Sequence, residues 1–378
     1  MEMKYINKYL FNIEPKEYAF SKTITLLRFP LAVFILLLHA SFEHELRNGV
    51  SIFDGWDAPI YHHLDFLFVQ NICNIAVPLF FLISGFLFFF KDDSFTLEKY
   101  TSKLRKRFTS LLIPYFLWNV LVFILYFVVQ NVAPSMNSGR NKLISDYTVQ
   151  DYFMSFWSMS YINEGGVSGP IDSPLWFIRD LMVMMVISPV FYFIIRRMNF
   201  FLPILLAVAY IAGVETGIQG ISMVALAFFS MGACFGIMKL DFVKFSRSIL
   251  GYTCFLYLLL LMTICMLAEY QSPSAWCSRL AVFIGVFMAV GFASFLESKY
   301  SCHINPFLTS STFFIFASHS EILKITIRLT SRLGVNSDLF YCIAYFMCPL
   351  VTMVVLLTVY WILLQKMPKV ASMLSGGR

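Results

Sequence analysis

The chain of 378 residues is 59% hydrophobic and 13% charged, with a mean hydropathy of +0.73, against about 45–50% apolar and about 25% charged in ordinary soluble proteins. So little charge cannot clothe a water-facing surface around a core of this size, which excludes a soluble globule, a disordered chain and a coiled coil and leaves a polytopic, all-α membrane protein. The net charge of +6, from 28 basic and 22 acidic residues, is explained by its placement along the chain and calls for no nucleic-acid partner.

A helix needs about 20 mostly apolar residues to cross the hydrocarbon core. Ten stretches qualify or come close: 22–42, 66–90, 108–130, 174–195, 200–215, 219–238, 249–268, 276–296, 307–330 and 339–364. They predict one integral-membrane domain over 1–378, a bundle of about ten transmembrane helices. The fifth stretch is short, and the ninth carries charge in its second half. The segment before Ile24 is too polar for a cleavable signal peptide, so the first stretch is expected to stay as a span.

Between the second and third stretches, Ser94 to Phe108 reads as an amphipathic helix in the inner interface. Leu97, Tyr100, Leu104 and Phe108 form one face, and Lys99, Lys103, Lys106 and Arg107 the others. Two outer segments are long. Residues 43–65 carry His44, Asp54, Trp56, Asp57, His62, His63 and Asp65, and residues 131–173 carry Asp146, Tyr147, Asp151, Tyr152, Trp157, Tyr161, Glu164 and Asp172. Segments of that length beside a compact bundle are usually functional.

The basic residues set the orientation. With the N-terminus in the cytoplasm, 19 fall in inner segments (Lys4, Lys8, Lys16, Lys22, Lys91, Lys99, Lys103, Arg105, Lys106, Arg107, Arg196, Arg197, Lys239, Lys244, Arg247, Lys299, Lys366, Lys369 and Arg378). Only 5 fall outside: Arg47, Arg140, Lys142, Arg279 and Arg332. That asymmetry is the positive-inside pattern and predicts both termini on the cytoplasmic side. The eight Cys are scattered singly with no C-x-x-C, which reads as small buried hydrophobes. His62 and His63 have no carboxylate or cysteine spacing that supports a metal, so none is expected.

Ionisable groups inside spans are costly and are functional candidates by default. They are Arg28 and His39 in the first stretch, Arg179 and Asp180 in the fourth, and His319, Glu321, Lys324 and Arg328 in the ninth. Eleven residues separate Arg28 from His39. At about 100° and 1.5 Å per residue they return to within about 20° of one face, about 16 Å apart along the axis. A long anionic cytosolic donor fits that spacing: a guanidinium can hold phosphates, and a neutral imidazole can take a proton from an attacking hydroxyl. The alternative is that Arg28 snorkels to inner headgroups while His39 hydrogen-bonds near the outer interface. In the ninth stretch, Glu321, Lys324 and Arg328 share a face and His319 points away from it. Glu321 either orients His39 or neutralises Lys324 at i+3.

Several motifs occur in order. Arg28 and His39 form R-x10-H, followed by Val-Pro-Leu-Phe-Phe-Leu-Ile-Ser-Gly-Phe (Val77 to Phe86), Leu-Arg-Lys-Arg-Phe (Leu104 to Phe108) and Leu-Ile-Pro-Tyr (Leu112 to Tyr115). Pro-Leu-Trp-Phe-Ile-Arg (Pro174 to Arg179) and Phe-Ile-Phe-Ala-Ser-His (Phe314 to His319) come later. Together they resemble the membrane acyltransferase-3 family, ten-helix enzymes that O-acylate cell-surface glycans and related acceptors. The resemblance implies that His39 is the essential histidine and that Arg28 engages acyl-CoA. It further implies that Arg105 and Arg107, as R-x-R, meet the coenzyme phosphates at the first cytoplasmic loop, where anchoring to anionic lipid is the other reading. Ser84 matches a family Ser-Gly that serves chemistry or close helix packing. Arg179, with Asp180 beside it, pairs with a carboxylate or faces the acceptor, and His319 matches a frequent family histidine although Phe316-Ala317 replaces the usual Tyr-Leu.

The function these readings imply is an O-acyltransferase of the bacterial inner (plasma) membrane. It would move an acetyl or short acyl group from acetyl-CoA, or another short acyl-CoA, to a hydroxyl of a cell-surface glycan, a lipid-linked sugar or another polar acceptor. The lipid bilayer would be its surroundings. A transporter-like protein for a polar small molecule, without acyl transfer, is the alternative. The lack of visible repeats and of acid-bearing broken span pairs counts against it.

Overall fold

The computed structural model describes residues 17–47, 49–90, 95–132, 142–163, 168–267 and 271–377. Lys4, Lys8, Lys16, Lys91, Arg140 and Arg378 of the charge count, Ser94 of the amphipathic segment and Glu164 of the second outer segment lie outside the described residues. Within them the regular elements are helices apart from one small hairpin, β1 (Leu46–Arg47) antiparallel to β2 (Val50–Ser51).

All ten apolar stretches are helical. The first is α1 (Glu17–Leu38). The second runs from α2 (Pro59–Leu67) through a π turn (Phe68–Ile72) and a 3-10 turn (Cys73–Ile75) into α3 (Ala76–Phe89). The third is α4 (Leu97–Val132), and the short α5 (Val149–Ser155) follows in the second long segment. The fourth stretch is split into α6 (Trp176–Val186) and α7 (Ser188–Met198). Then come α8 (Phe201–Ala212), α9 (Met223–Ile237), α10 (Phe242–Ser248), α11 (Leu250–Met266), α12 (Gln271–Tyr300), α13 (Pro306–Ser331), α14 (Asp338–Lys366) and α15 (Pro368–Leu374).

Among the described residues, five helical runs are long and apolar enough to cross a membrane, or seven if each of two bent pairs counts as one span. The pair α6–α7 bends by 60°, and α9–α10 by 106°. Pro189, at the start of α7, supplies no N–H to continue the ladder of α6, which is why the fourth stretch is broken. α8 and α11 are apolar but shorter, and α13 is diluted by its own charged residues. The expected separate amphipathic helix is absent. From Leu97 the basic segment continues without interruption into the third span as one 36-residue helix, because no glycine or proline intervenes before Pro114.

The centre of the bundle is the pair α3–α9. α3 is apolar around its whole circumference and buried on most of it. A Cβ on Gly85 would lie 2.1 Å from the Phe229 carbonyl oxygen, and one on Gly232 would lie 1.9 Å from that of Leu82. The two backbones are therefore in direct contact. Within a membrane, where apolar burial between helices gains little, such close approach is a main source of helix association.

One end of the bundle is basic. The Lys103 ammonium donates to the Phe88 carbonyl and Lys239 to that of Phe90 (2.7 Å), Lys22 pairs with Glu297 (3.6 Å), and Arg247 lies over the Phe295 ring. Phe20, Phe86, Phe90 and Phe242 pack together nearby, Phe86 stacked on Phe90 and Phe242 edge-on to Phe20. At the opposite end, the Asp338 carboxylate accepts from the N–H groups of Ile60 (2.9 Å) and Tyr61 (2.7 Å), tying the start of α14 to the start of α2. The Tyr61 hydroxyl accepts from the Phe42 amide (2.6 Å) and fixes the chain just beyond α1.

Candidate active site

His39 follows the last residue of α1, where its own N–H is shared between the carbonyls of Ile35 (3.3 Å) and Leu36 (3.2 Å). This tightened last turn aims the ring into the bundle. His39 is densely surrounded by protein atoms, yet it is solvent-accessible, and it borders a cavity of about 290 Å3. Asn74, Trp176, Phe177, Tyr210 and Arg279 border the same space. Asn74 reaches it from the 3-10 turn that follows the π turn. Such local widening of a helix is frequent at functional sites because it re-aims side chains without ending the helix.

His319, from the middle of α13, is packed behind His39 with ring centroids 5.3 Å apart. It is fully buried, and its Nδ1 lies 2.7 Å from the Phe316 carbonyl oxygen. A carbonyl only accepts, so that contact assigns the proton to Nδ1 and leaves Nε2 as a lone pair. Among the described residues Nε2 has no partner. The other polar groups of α13 face elsewhere. Glu321 accepts from Lys324 (2.7 Å) and from the Tyr126 hydroxyl (2.9 Å). Of its two sequence readings, the structure shows the ion pair with Lys324, whose charge still reaches His319 and His39. Asp172, beside this group, is buried with both carboxylate oxygens unpartnered among the described residues. Burial, and then the nearby Glu321 charge, hold its carboxyl well above the usual carboxylate range.

Arg28 lies on α1 toward the basic end and feels the positive charge of Arg107. Arg107, Lys103 and Lys106 border a cavity of about 350 Å3 closed by Leu87, Phe88 and Ser110. Arg105 is exposed and is not among that lining: two residues along a helix turn about 200°, so Arg105 and Arg107 face apart.

A family model described as an acyltransferase domain, acyltransferase 3, matches residues 22–364. The chain belongs to the acyltransferase 3 family. No curated protein and no solved structure matches it. This acyltransferase 3 protein is thus a multi-pass membrane acyltransferase, and the match runs through every helix from α1 to α14.

Within this acyltransferase, Arg179 and Asp180 form a buried pair. The guanidinium donates to Asp180 Oδ1 through Nε (3.0 Å) and Nη2 (2.9 Å), and to the carbonyls of Trp157 (2.5 Å) and Ser168 (3.4 Å). Asp180 also accepts from the Ser222 amide (3.2 Å). The pair thereby fastens the second long segment and the loop before α9 onto α6. It also borders a second cavity of about 520 Å3, with Glu215 and Gln219, and Trp176 forms a wall common to both cavities. Ser84 is half-buried beside Gly85, at the α3–α9 contact.

His62 is hydrogen-bonded to Glu43 (Nδ1 to Oε1, 2.6 Å), with Asp57 3.6 Å from Nε2. Among the described residues no cluster of three or more His, Cys, Asp or Glu groups is arranged to hold a metal.

Four cavity residues, Asn74, Trp176, Tyr210 and Arg279, do not stand out as candidates in the sequence. Arg279 is counted there as one of five outer charges. Its position just inside the apolar stretch 276–296, rather than in a loop, is the one signal that sets it apart.

Proposed function

We propose that the protein transfers an acetyl or another short acyl group from cytosolic acyl-CoA to a hydroxyl of a cell-surface glycan, a lipid-linked sugar or another polar acceptor. We place it in a bacterial inner membrane as one domain with both termini cytoplasmic. The observation that carries this reading is His39: an imidazole set deep in the bundle and lining a cavity, just past the end of the helix that bears Arg28 eleven residues earlier.

Arg28, Arg107, Lys103 and Lys106 supply the positive charge for the coenzyme phosphates at the basic end. The acceptor hydroxyl approaches from the His39 end and attacks the thioester carbonyl, and its proton passes to His39 as the carbon–oxygen bond forms. The carbon–sulfur bond then breaks, and the leaving thiolate takes up the proton held by His39, which returns the imidazole to its neutral form. His39 ends a helix, and the negative end of the helix dipole favours the imidazolium formed in the first step. His319, neutral and anchored to Phe316, holds the His39 ring from behind.

The test is acyl transfer from labelled acetyl-CoA by the purified protein in nanodiscs. Transfer or thioester hydrolysis that disappears in His39→Ala supports the reading. Wild-type rates in that variant would remove His39 as the base, and accumulation of a solute in proteoliposomes without thioester consumption would favour the transporter.

A further inference from the structure

Arg279 projects from the first third of α12, which packs against α8. Its guanidinium lies over Gly213, the left-handed residue (φ 79°) that ends α8. A Cβ at Gly213 would stand 2.4 Å from a guanidinium nitrogen, so only glycine leaves the side chain this position. Tyr210, one turn back on α8, borders the His39 cavity together with Arg279 and feels its charge.

An arginine at a helix C-terminus is ordinarily accounted for by hydrogen bonds to the last carbonyls. Here the chain closes α8 itself: the Gly213 amide donates to the Tyr210 carbonyl and the Val214 amide to that of Ala209, both at 3.0 Å. Among the described residues Arg279 makes no hydrogen bond and has no ion-pair partner. The contrast is Arg179, near the same end of the bundle, whose donors are taken by Asp180 and two carbonyls. The result is a half-buried guanidinium whose donors are unpaired among the described residues, on the wall of the cavity that His39 borders.

A cation on the wall of a partly apolar, low-dielectric cavity selects for anions far more strongly than one in water. Guanidinium geometry matches a carboxylate or a phosphate through paired hydrogen bonds. At about 290 Å3 the space lies at the small end of small-molecule sites and suits one sugar-sized unit.

We infer that the acceptor carries an anionic group, and that Arg279 binds this group while His39 meets the hydroxyl. This rests on the acyl-transfer reading for what happens at His39, but the anion site itself stands on the geometry of Arg279. The negative charge so bound also offsets the positive charge that His39 acquires when it takes the proton.

The experiment titrates the full-length protein in nanodiscs with methyl glucuronide, glucose 6-phosphate and methyl glucoside, reading binding from the shift of the unfolding midpoint. The expected result is at least tenfold tighter binding of an anionic probe than of the uncharged one. The preference should weaken with salt, be lost in Arg279→Gln and be partly kept in Arg279→Lys. Whichever anionic probe binds more tightly identifies the group as carboxylate or phosphate. Equal or absent binding of all three probes, or a preference that survives Arg279→Gln, overturns the inference. If Arg279→Gln does not fold, the wild-type preference and its salt dependence decide.

Acetyl transfer to the same probes separates the two claims. Anion-selective binding without transfer removes the reaction at His39 and leaves the Arg279 site standing. Transfer with no preference for charge does the reverse.

Discussion

The rings of His39 and His319 lie 5.3 Å apart at an interplanar angle of 36°, one open to a cavity and the other sealed in the core. Two imidazoles so close cannot both carry charge cheaply in a low-dielectric interior. The tautomer of His319 is fixed by Phe316, and of the two rings only that of His39 lines the cavity, which is why the proposed reaction uses His39 as the proton acceptor. His39→Ala should lower turnover by about 10^2- to 10^4-fold without changing the unfolding midpoint. His319→Phe keeps an aromatic ring, slightly larger than imidazole, but removes the side-chain bond to the Phe316 carbonyl, which retains its helical partner, at a cost of about 0.5–1.5 kcal/mol. It should depress kcat more than KM. If His319→Phe changes neither stability nor kcat, the supporting role is wrong.

Gly85 and Gly232 sit at a backbone-to-backbone contact. Replacing either with Ala forces α3 and α9 apart and should cost about 1–3 kcal/mol, seen as a lower unfolding midpoint in detergent. Gly251, where an added methyl group would meet nothing within 4 Å, is the control; Gly251→Ala should be neutral or slightly stabilising.

Removing one member of the Arg179–Asp180 pair leaves the other charge buried and unpaired. Arg179→Met should therefore destabilise by about 3–5 kcal/mol, and the double change Arg179→Met with Asp180→Leu should recover part of that loss. Protease should cut the segment around Trp157 and Ser168 faster in the single variant, because both carbonyls lose their donor. Unchanged cleavage would mean that the pair does not hold that segment.

Arg105 and Arg107 share a motif but face different surroundings. A charge-assisted hydrogen bond is worth about 1.5–3 kcal/mol. Arg107→Ala should therefore raise the KM for acetyl-CoA by roughly tenfold or more, whereas Arg105→Ala should stay within about twofold. Equal effects in steady-state kinetics would count against a phosphate site beside Arg28.

Asp151 caps α5 and is held down to about 2, first by the Lys142 ammonium and then by the Thr148 amide and hydroxyl. A carboxyl lowered by folding stabilises the fold above its unfolded value of 3.8, and this contribution is lost as pH falls toward about 2. Hydrogen exchange over 149–155 should speed up across that window relative to Asp151→Asn. The pair with Lys142 is accessible, so added salt should reduce the difference.

The helices were legible because apolar runs must satisfy their backbone internally, and all ten stretches fold as helices. The Glu321–Lys324 pair was equally legible from i,i+3 spacing, and so was the close packing beside Ser84. Gly232, the partner of that contact, was not, because it lies far away in sequence. The break at Ile187 and the bend after Ile237 were hidden inside hydropathy that continues through them. Arg279 was missed for a different reason. A count of loop charges treats every arginine as a topological marker, and only the meeting of α8 with α12 reveals that this one faces His39.

The glycine contact between α3 and α9 has a mechanical consequence. Touching backbones have no compliant side chains between them, so the two helices shift as one beam. The two sharp bends of the chain, at Ile187 and between Ile237 and Phe242, lie outside that contact, and hinge-like movement is more easily absorbed at such breaks than within the beam. Trp176, on α6, rides on the arm next to the first of these hinges and divides the two cavities.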